Sequence, residues 1–273
     1  MHSHRKGLQG MSLQRKLIIV LCAVAAFLGA SFAFLSTKYV APIIMYHSVV
    51  PDPDPKNMLA VSVRSFERQM RFLKERGYNV VTLEALAGMI KNKEKFPRNT
   101  VAITFDDGYK DNYTYAFPVL KKYGLPATVF IITQEVSRLQ GDRLSWDEIK
   151  AMRDSGLVVI GSHCIGPEPL INIKSADELR RQIFESKKIL EDELGRPVNL
   201  FSYPEGKFDD MLRQIVIDAG YKAAVATNPG KRFSNTDIFA LKRLRISRTC
   251  DNLGVFFVEA SGYYNFMREH RRK

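Results

Sequence analysis

Cysteine is scarce in this chain of 273 residues, which has only Cys22, Cys164 and Cys250. Cys22 sits in an apolar run, so at most one pair remains and no disulfide framework can staple the fold. Histidine is nearly as thin: five residues, of which His2 and His4 open the chain and His270 nearly closes it. Imidazole chemistry therefore falls to His47 and His163. No internal repeat, low-complexity tract or G-x-S-x-G elbow is present, and Ser48 and Ser162 have no acidic partner suitably placed for a serine triad. Acidic residues are also short, with 29 Asp+Glu against 41 Lys+Arg and a formal charge of +12. With 45% apolar residues, the composition excludes disorder, collagen and a multi-span membrane protein.

So basic a balance first suggests nucleic acid or an anionic surface. The distribution argues otherwise. Residues 1–16 carry +4, Lys38 +1 and residues 266–273 +3, leaving 32 basic against 28 acidic residues over 41–265. The excess reads as a topology signal at one end and a basic tail at the other, which could meet anionic lipid or wall polymer. No nucleic-acid partner is expected.

Residues 17–35 (LIIVLCAVAAFLGASFAFL) hold no charge and are long enough to cross a hydrocarbon layer of about 30 Å as a helix. Arg5, Lys6, Arg15 and Lys16 precede this run, so the positive-inside bias places the N-terminus in the cytoplasm and the remainder outside. A cleaved signal peptide is the rival reading, since Ser31-Phe32-Ala33 is a tolerable small-x-small site. Signal-peptide apolar regions usually run about 7–15 residues, which favours an uncleaved anchor. The expected organisation is a basic cytoplasmic tail (1–16), a transmembrane anchor (17–35), a linker (36–41), one domain (42–265) and a basic tail (266–273). The predicted location is the inner cell membrane, single-pass, with the domain extracytoplasmic.

Beyond the anchor, short apolar runs alternate with amphipathic segments. Strands are predicted at Ala41 to Tyr46, Tyr78 to Leu83, Val101 to Phe105, Ala127 to Ile132, Leu157 to Ile160, Asn199 to Tyr203, Tyr221 to Thr227 and Leu241 to Ile246. The helices between them include one built on Phe66, Met70 and Leu73, capped by Ser62 or Ser65 and ended at Gly77. Others are expected from Leu83 to Lys91, near Tyr113 to Tyr123, Trp146 to Ser155, Ala176 to Leu194, Asp209 to Ala219 and Asn252 to Ser261. Strands joined through helical crossovers pair in parallel, and about seven such units favour a closed, distorted (β/α) barrel.

Functional groups in such folds gather at the C-terminal ends of strands. His47, Asp106-Asp107, Ser162-His163 and Tyr203-Pro204-Glu205-Gly206 all fall there. Each is weak alone, since Asp-Asp-Gly is often a turn and a strand-end histidine is often structural. Together they suggest a metal-assisted site. One of two adjacent carboxylates can bind an ion that His163 also holds, while its neighbour acts as a base on water.

Met45-Tyr46-His47-Ser48-Val49, Thr104-Phe105-Asp106-Asp107-Gly108-Tyr109, Leu144-Ser145-Trp146-Asp147, Ile160-Gly161-Ser162-His163 and Phe201-Ser202-Tyr203-Pro204-Glu205-Gly206 follow one another in order. This series resembles the motifs of the polysaccharide deacetylases of the NodB-homology type, carbohydrate esterase family 4, over about residues 42–260. The YH-containing first strand is similar to that of the poly-N-acetylglucosamine deacetylase subgroup. The resemblance implies a distorted (β/α) barrel and hydrolysis of acetamide groups on an extracytoplasmic N-acetylglucosamine polysaccharide, with a divalent metal, usually zinc. It implies Asp106 as general base, Asp107 and His163 as metal ligands, the Glu205 amide in an oxyanion hole and His47 as general acid. Tyr109, Trp146 and Tyr203 become candidates for the sugar groove, although Trp146 serves equally well as packing.

One departure stands out. The family usually has a second histidine four residues after the first, where this chain has Pro167. Glu168, one residue on, could ligate in its place. If it instead stays solvated, the alternative is a catalytically impaired, glycan-binding relative. Cys164 should point away from His163 and serve packing.

Overall fold

The structure, a computed structural model, describes residues 12–137, 141–227, 235–264 and 267. The predicted basic segments 1–16 and 266–273 lie mostly outside the described residues. α1 (Leu13–Ser36) is long and apolar enough, by length and composition, to cross a membrane, and none of its most apolar window is buried. Residues 40–265 form a compact unit of their own.

Within that unit the apolar runs become parallel strands. β1 (Ile43–Tyr46) is followed by β2 (Ser48–Val50), β3 (Ala60–Ser62), α2 (Val63–Glu75), β4 (Asn79–Val81), α3 (Leu83–Lys91) and β5 (Thr100–Phe105). Next come α4 (Phe117–Tyr123), β6 (Ala127–Ile131), α5 (Trp146–Asp154), β7 (Val158–Ser162), α6 (Ala176–Leu194) and β8 (Leu200–Ser202). The unit ends with α7 (Asp210–Asp218), β9 (Ala223–Ala226), β10 (Leu241–Lys242), β11 (Leu244–Arg245) and α8 (Leu253–Ala260). Every residue of β1, β5, β6 and β9 is buried, as expected for strands covered on both faces.

The strands β1, β5, β6, β7, β8 and β9 lie side by side in that order. Segment 241–245 closes the circuit. Its first half, β10, pairs with Val225 and Ala226 of β9, and its second half, β11, pairs with Ile44 and Met45 of β1. Counted once, this segment is the seventh strand of a distorted (β/α) barrel, in agreement with the sequence reading.

The helices pack as their periodicity requires. Phe66, Met70 and Leu73 of α2 are fully buried, and Phe66 meets Tyr46 and Phe105 in an aromatic cluster with centroids 5.1–5.8 Å apart. Ser62 caps α2 through the Ser65 amide at 3.1 Å, and Gly77 follows at φ 66°. Helix α6 spans the predicted residues and buries Leu179, Ile183, Leu190 and Leu194. Two features differ from expectation. β2 and β3 form a small separate parallel sheet, and a five-residue π-helical turn, Asn112–Ala116, precedes α4.

Gly161 sets the spacing at β7, because a Cβ there would stand 2.5 Å from the Phe130 ring. Gly161→Ala is therefore an overpacking change next to His163. It should lower stability by about 1–3 kcal/mol in urea unfolding with the slope of the transition unchanged.

Candidate active site

The C-terminal ends of β1, β5, β7 and β8 open into one cavity of about 430 Å³. His47, Asp106, Asp107, Tyr109, His163 and Glu205 all line it.

Asp106, 3% exposed, is gripped by Arg243, whose Nη1 and Nη2 each donate to one carboxylate oxygen at 2.6 Å. Arg243 is the residue between β10 and β11. Its guanidinium also donates to Ser202 Oγ at 2.9 Å and lies 5.5 Å from the Phe130 ring centroid. Burial pushes the Asp106 carboxyl upward, but the charges of Arg243 and then His163 outweigh it and hold the group well below the usual carboxylate range. Asp106 is thus held as a buried carboxylate with a guanidinium on both oxygens.

Asp107 points elsewhere because its backbone turns to φ 69° directly after the strand. Its Oδ1 lies 3.4 Å from His163 Nε2. Burial is the largest influence and raises its carboxyl, but the hydrogen bond and charge of a protonated His163, together with His47, outweigh it for a net lowering. On the far side of the ring, His163 Nδ1 meets the Ser202 carbonyl at 2.7 Å. Burial works against a protonated His163, yet Asp106 and Asp107 raise its pKa overall. With Nδ1 donating to that carbonyl, a protonated ring donates from Nε2 to Asp107, whereas a neutral ring presents the Nε2 lone pair, the tautomer usual in metal-binding histidines.

His47 is held through its backbone. Asn112 Nδ2 donates to the His47 carbonyl at 2.8 Å, while Asp111 accepts from Ser48 Oγ at 2.5 Å and from the Val49 amide at 3.0 Å. The imidazole Nδ1 is buried with no hydrogen-bond partner among the described residues. Burial lowers the His47 pKa, against the opposing pull of Asp106 and Asp107. Glu205, at φ 54°, sits in a short turn after β8, with its carboxylate out at the surface on Lys207 at 2.6 Å. Gly206 is obligatory in that turn, since a Cβ would stand 2.3 Å from the Thr227 nitrogen.

Of the other predicted residues, Tyr109 reaches the cavity, where Arg143 stacks 4.0 Å above its ring centroid. Trp146 and Tyr203 do not line it. Trp146 opens α5, half-buried against the core, and Tyr203 is fully buried, stacked on Phe208 with its hydroxyl on the Phe239 carbonyl. Glu168 is exposed, and the wall beside it is Pro167. Among the described residues no three of His, Cys, Asp and Glu gather as a ready ion cage. A divalent cation is suited by Asp107 and His163, a carboxylate oxygen and an oriented imidazole nitrogen on one wall. Cys164 is buried in the core cluster, and both it and Cys250 are free thiols.

Sequence reasoning overlooked Arg243, Asp111 and Asn112. Arg243 hides in a cationic run, Lys242-Arg243-Leu244-Arg245, that looks solvent-facing. Asp111 and Asn112 look like the polar start of an ordinary helix.

Comparison with known proteins agrees with this geometry. The profile of the polysaccharide deacetylase family matches residues 93–224. YxkH of Bacillus subtilis strain 168, assigned as a polysaccharide deacetylase, is 34% identical over 217 residues, 79% of this chain and 75% of its own length. This chain belongs to the polysaccharide deacetylase family. It is accordingly a hydrolase of amide carbon–nitrogen bonds on polysaccharide. The poly-beta-1,6-N-acetyl-D-glucosamine N-deacetylase of Staphylococcus aureus is 29% identical over 69% of this chain and 68% of that protein. Streptococcus pyogenes deacetylase PplD, solved with acetate, superposes with a TM-score of 0.72 at 28% identity, covering 80% of this chain and 97% of its own.

The clamp on Asp106 gives a direct test. Removing one partner of a buried ion pair leaves the other charge uncompensated and costs about 3–5 kcal/mol. Arg243→Met should lose that much by chemical denaturation at neutral pH, and the Arg243→Met/Asp106→Leu double variant should recover much of it.

Proposed function

We propose that this deacetylase removes acetyl groups from N-acetylglucosamine units of a polysaccharide outside the cytoplasm, in a metal-dependent reaction. The observation that carries the reading is the division of labour between adjacent carboxylates. Asp106 is locked ionised by Arg243, and Asp107 is turned toward the free nitrogen of His163. Paired carboxylates with separated environments are how one site runs base chemistry beside ligand chemistry.

Asp107 and His163 would hold the divalent ion, with zinc the natural choice for this oxygen–nitrogen pair. Bound there, it would supply Lewis-acid polarisation of the acetamide carbonyl. Asp106 accepts a proton from the attacking water, and the Glu205 amide donates to the oxyanion that forms. His47, on the wall of the same cavity, protonates the departing amine. Acetate and a free amino sugar leave. Tyr109, held flat beneath Arg143, offers an aromatic wall for a sugar ring.

Similarity to the Staphylococcus aureus enzyme supports the choice of substrate, and α1 supports the location. In this reading 1–16 is a cytoplasmic tail, 17–35 the anchor, 36–41 a linker, 42–265 the catalytic domain and 266–273 a basic tail. A second reading, a glycan-binding protein with weakened catalysis, is favoured by the two-donor ion site alone.

Acetate release from N-acetylglucosamine oligomers separates the two. The enzyme should release acetate, stop with chelator and recover with zinc, and Asp106→Asn should cut the rate by about 10²–10⁴. No release at any metal supplement leaves only the binding reading. Metal analysis provides the companion measurement. Asp107→Ala and His163→Ala should each lose the bound ion, whereas Glu168→Ala should retain the parent stoichiometry.

A further inference from the structure

α8 has its pattern inside out. Its one charged residue, Glu259, is buried and accepts the Cys250 thiol at 3.1 Å, beside buried Phe256 and Ala260. Its outer face is apolar, with Val255, Phe257 and Val258 exposed at 39%, 51% and 38%. A surface helix ordinarily turns its charges to water and its apolar stripe to the core. Phe257 is also held in place, edge-on to Phe72 with centroids 6.2 Å apart. Phe184 on α6, by contrast, is an exposed apolar side chain that stands in a charged stretch of sequence and needs no partner.

We propose that this face of α8 seats in the interfacial layer of an anionic lipid bilayer, the one α1 crosses. The inference rests on reading α1 as a membrane span. Chain length supports it, because the Val40 amide donates to the Gly262 carbonyl at 2.9 Å, just beyond the end of α8. Val40 follows Ser36, the last residue of α1, by only four Cα steps, a reach of about 14 Å at full extension. Charge supports it too. Lys38 lies in the link, and residues 268–273 beyond α8 hold four basic residues and one acidic. An apolar helical face joined to a basic cluster is the two-signal arrangement that binds anionic membranes. A second copy of the chain fits less well, since three side chains offer on the order of 200 Å² where a stable interface takes about 800 Å² per partner.

The test uses the full-length chain in nanodiscs of anionic lipid with brominated acyl chains, which quench only indoles at membrane depth. Phe257→Trp and Phe184→Trp are compared, each read as the difference from the parent, whose single tryptophan is Trp146. The probe at 257 should lose at least half its emission relative to unbrominated discs, and the probe at 184 should not change. A chain that survives carbonate washing of membranes yet shows no quenching at 257 overturns the proposal, as does an unquenched probe in a chain that sediments as a dimer. A chain stripped by carbonate but still quenched at 257 removes the span reading and keeps α8 as the lipid-binding surface.

Discussion

The contact between Arg243 and Asp106 joins the fold to the chemistry. Arg243 sits between the two halves of the closing strand, which pair with β9 on one side and β1 on the other. From there its guanidinium reaches β5 through Asp106 and the β8 end through Ser202. A buried guanidinium is costly to desolvate, and here both terminal nitrogens are paired while Nε is buried with no hydrogen-bond partner among the described residues. Closing the barrel therefore also brings in the cation that favours an ionised Asp106. A barrel left open between β9 and β1 would have no cation under Asp106, and burial alone would push that carboxyl toward its neutral form.

The second constraint is backbone geometry at the strand ends. Asp107, Cys164 and Glu205 adopt positive φ although none is glycine, and each directly follows or belongs to a motif at the end of β5, β7 or β8. Such conformations cost of order 1–3 kcal/mol each and persist where the surroundings over-determine them. Here each has a visible result. The turn at Asp107 separates two neighbouring carboxylates into different environments. The turn at Cys164 buries the thiol while His163 keeps to the cavity, and the turn at Glu205 brings the backbone to the wall while its carboxylate stays outside on Lys207.

Much of this was legible in the sequence, and the failures have physical causes. Periodicity identified α2 and α6 because each has several apolar residues on one face, and the buried strands because apolar runs ended at chemistry-bearing residues. β2 and β3, at three residues each, are too short to show a period. Asp106, Asp107 and His163 were legible as strand-end polar residues. Arg243 was not, because its partners lie 41 and 137 residues away in sequence. Tyr203 looked like a groove aromatic by position, yet its strand carries it into the core. Glu168 failed for a different reason: one residue of loop decides which side chain faces the cavity, and the residue at the wall is Pro167.

Pro167 at the cavity wall bears on the ion site alone. Catalytic zinc sites keep three protein ligands and an open position. Asp107 and His163 supply two, and a proline ring supplies none. The clamp on Asp106, the carbonyl behind His163 and the backbone support of His47 are each built from residues that do not touch an ion. They stand whether or not one is bound. In the proposed mechanism, fewer protein donors would lower the affinity for an ion without altering Asp106, His47 or the Glu205 amide. The count of donors would then set how often the site is loaded, and the protein scaffold what it does once loaded.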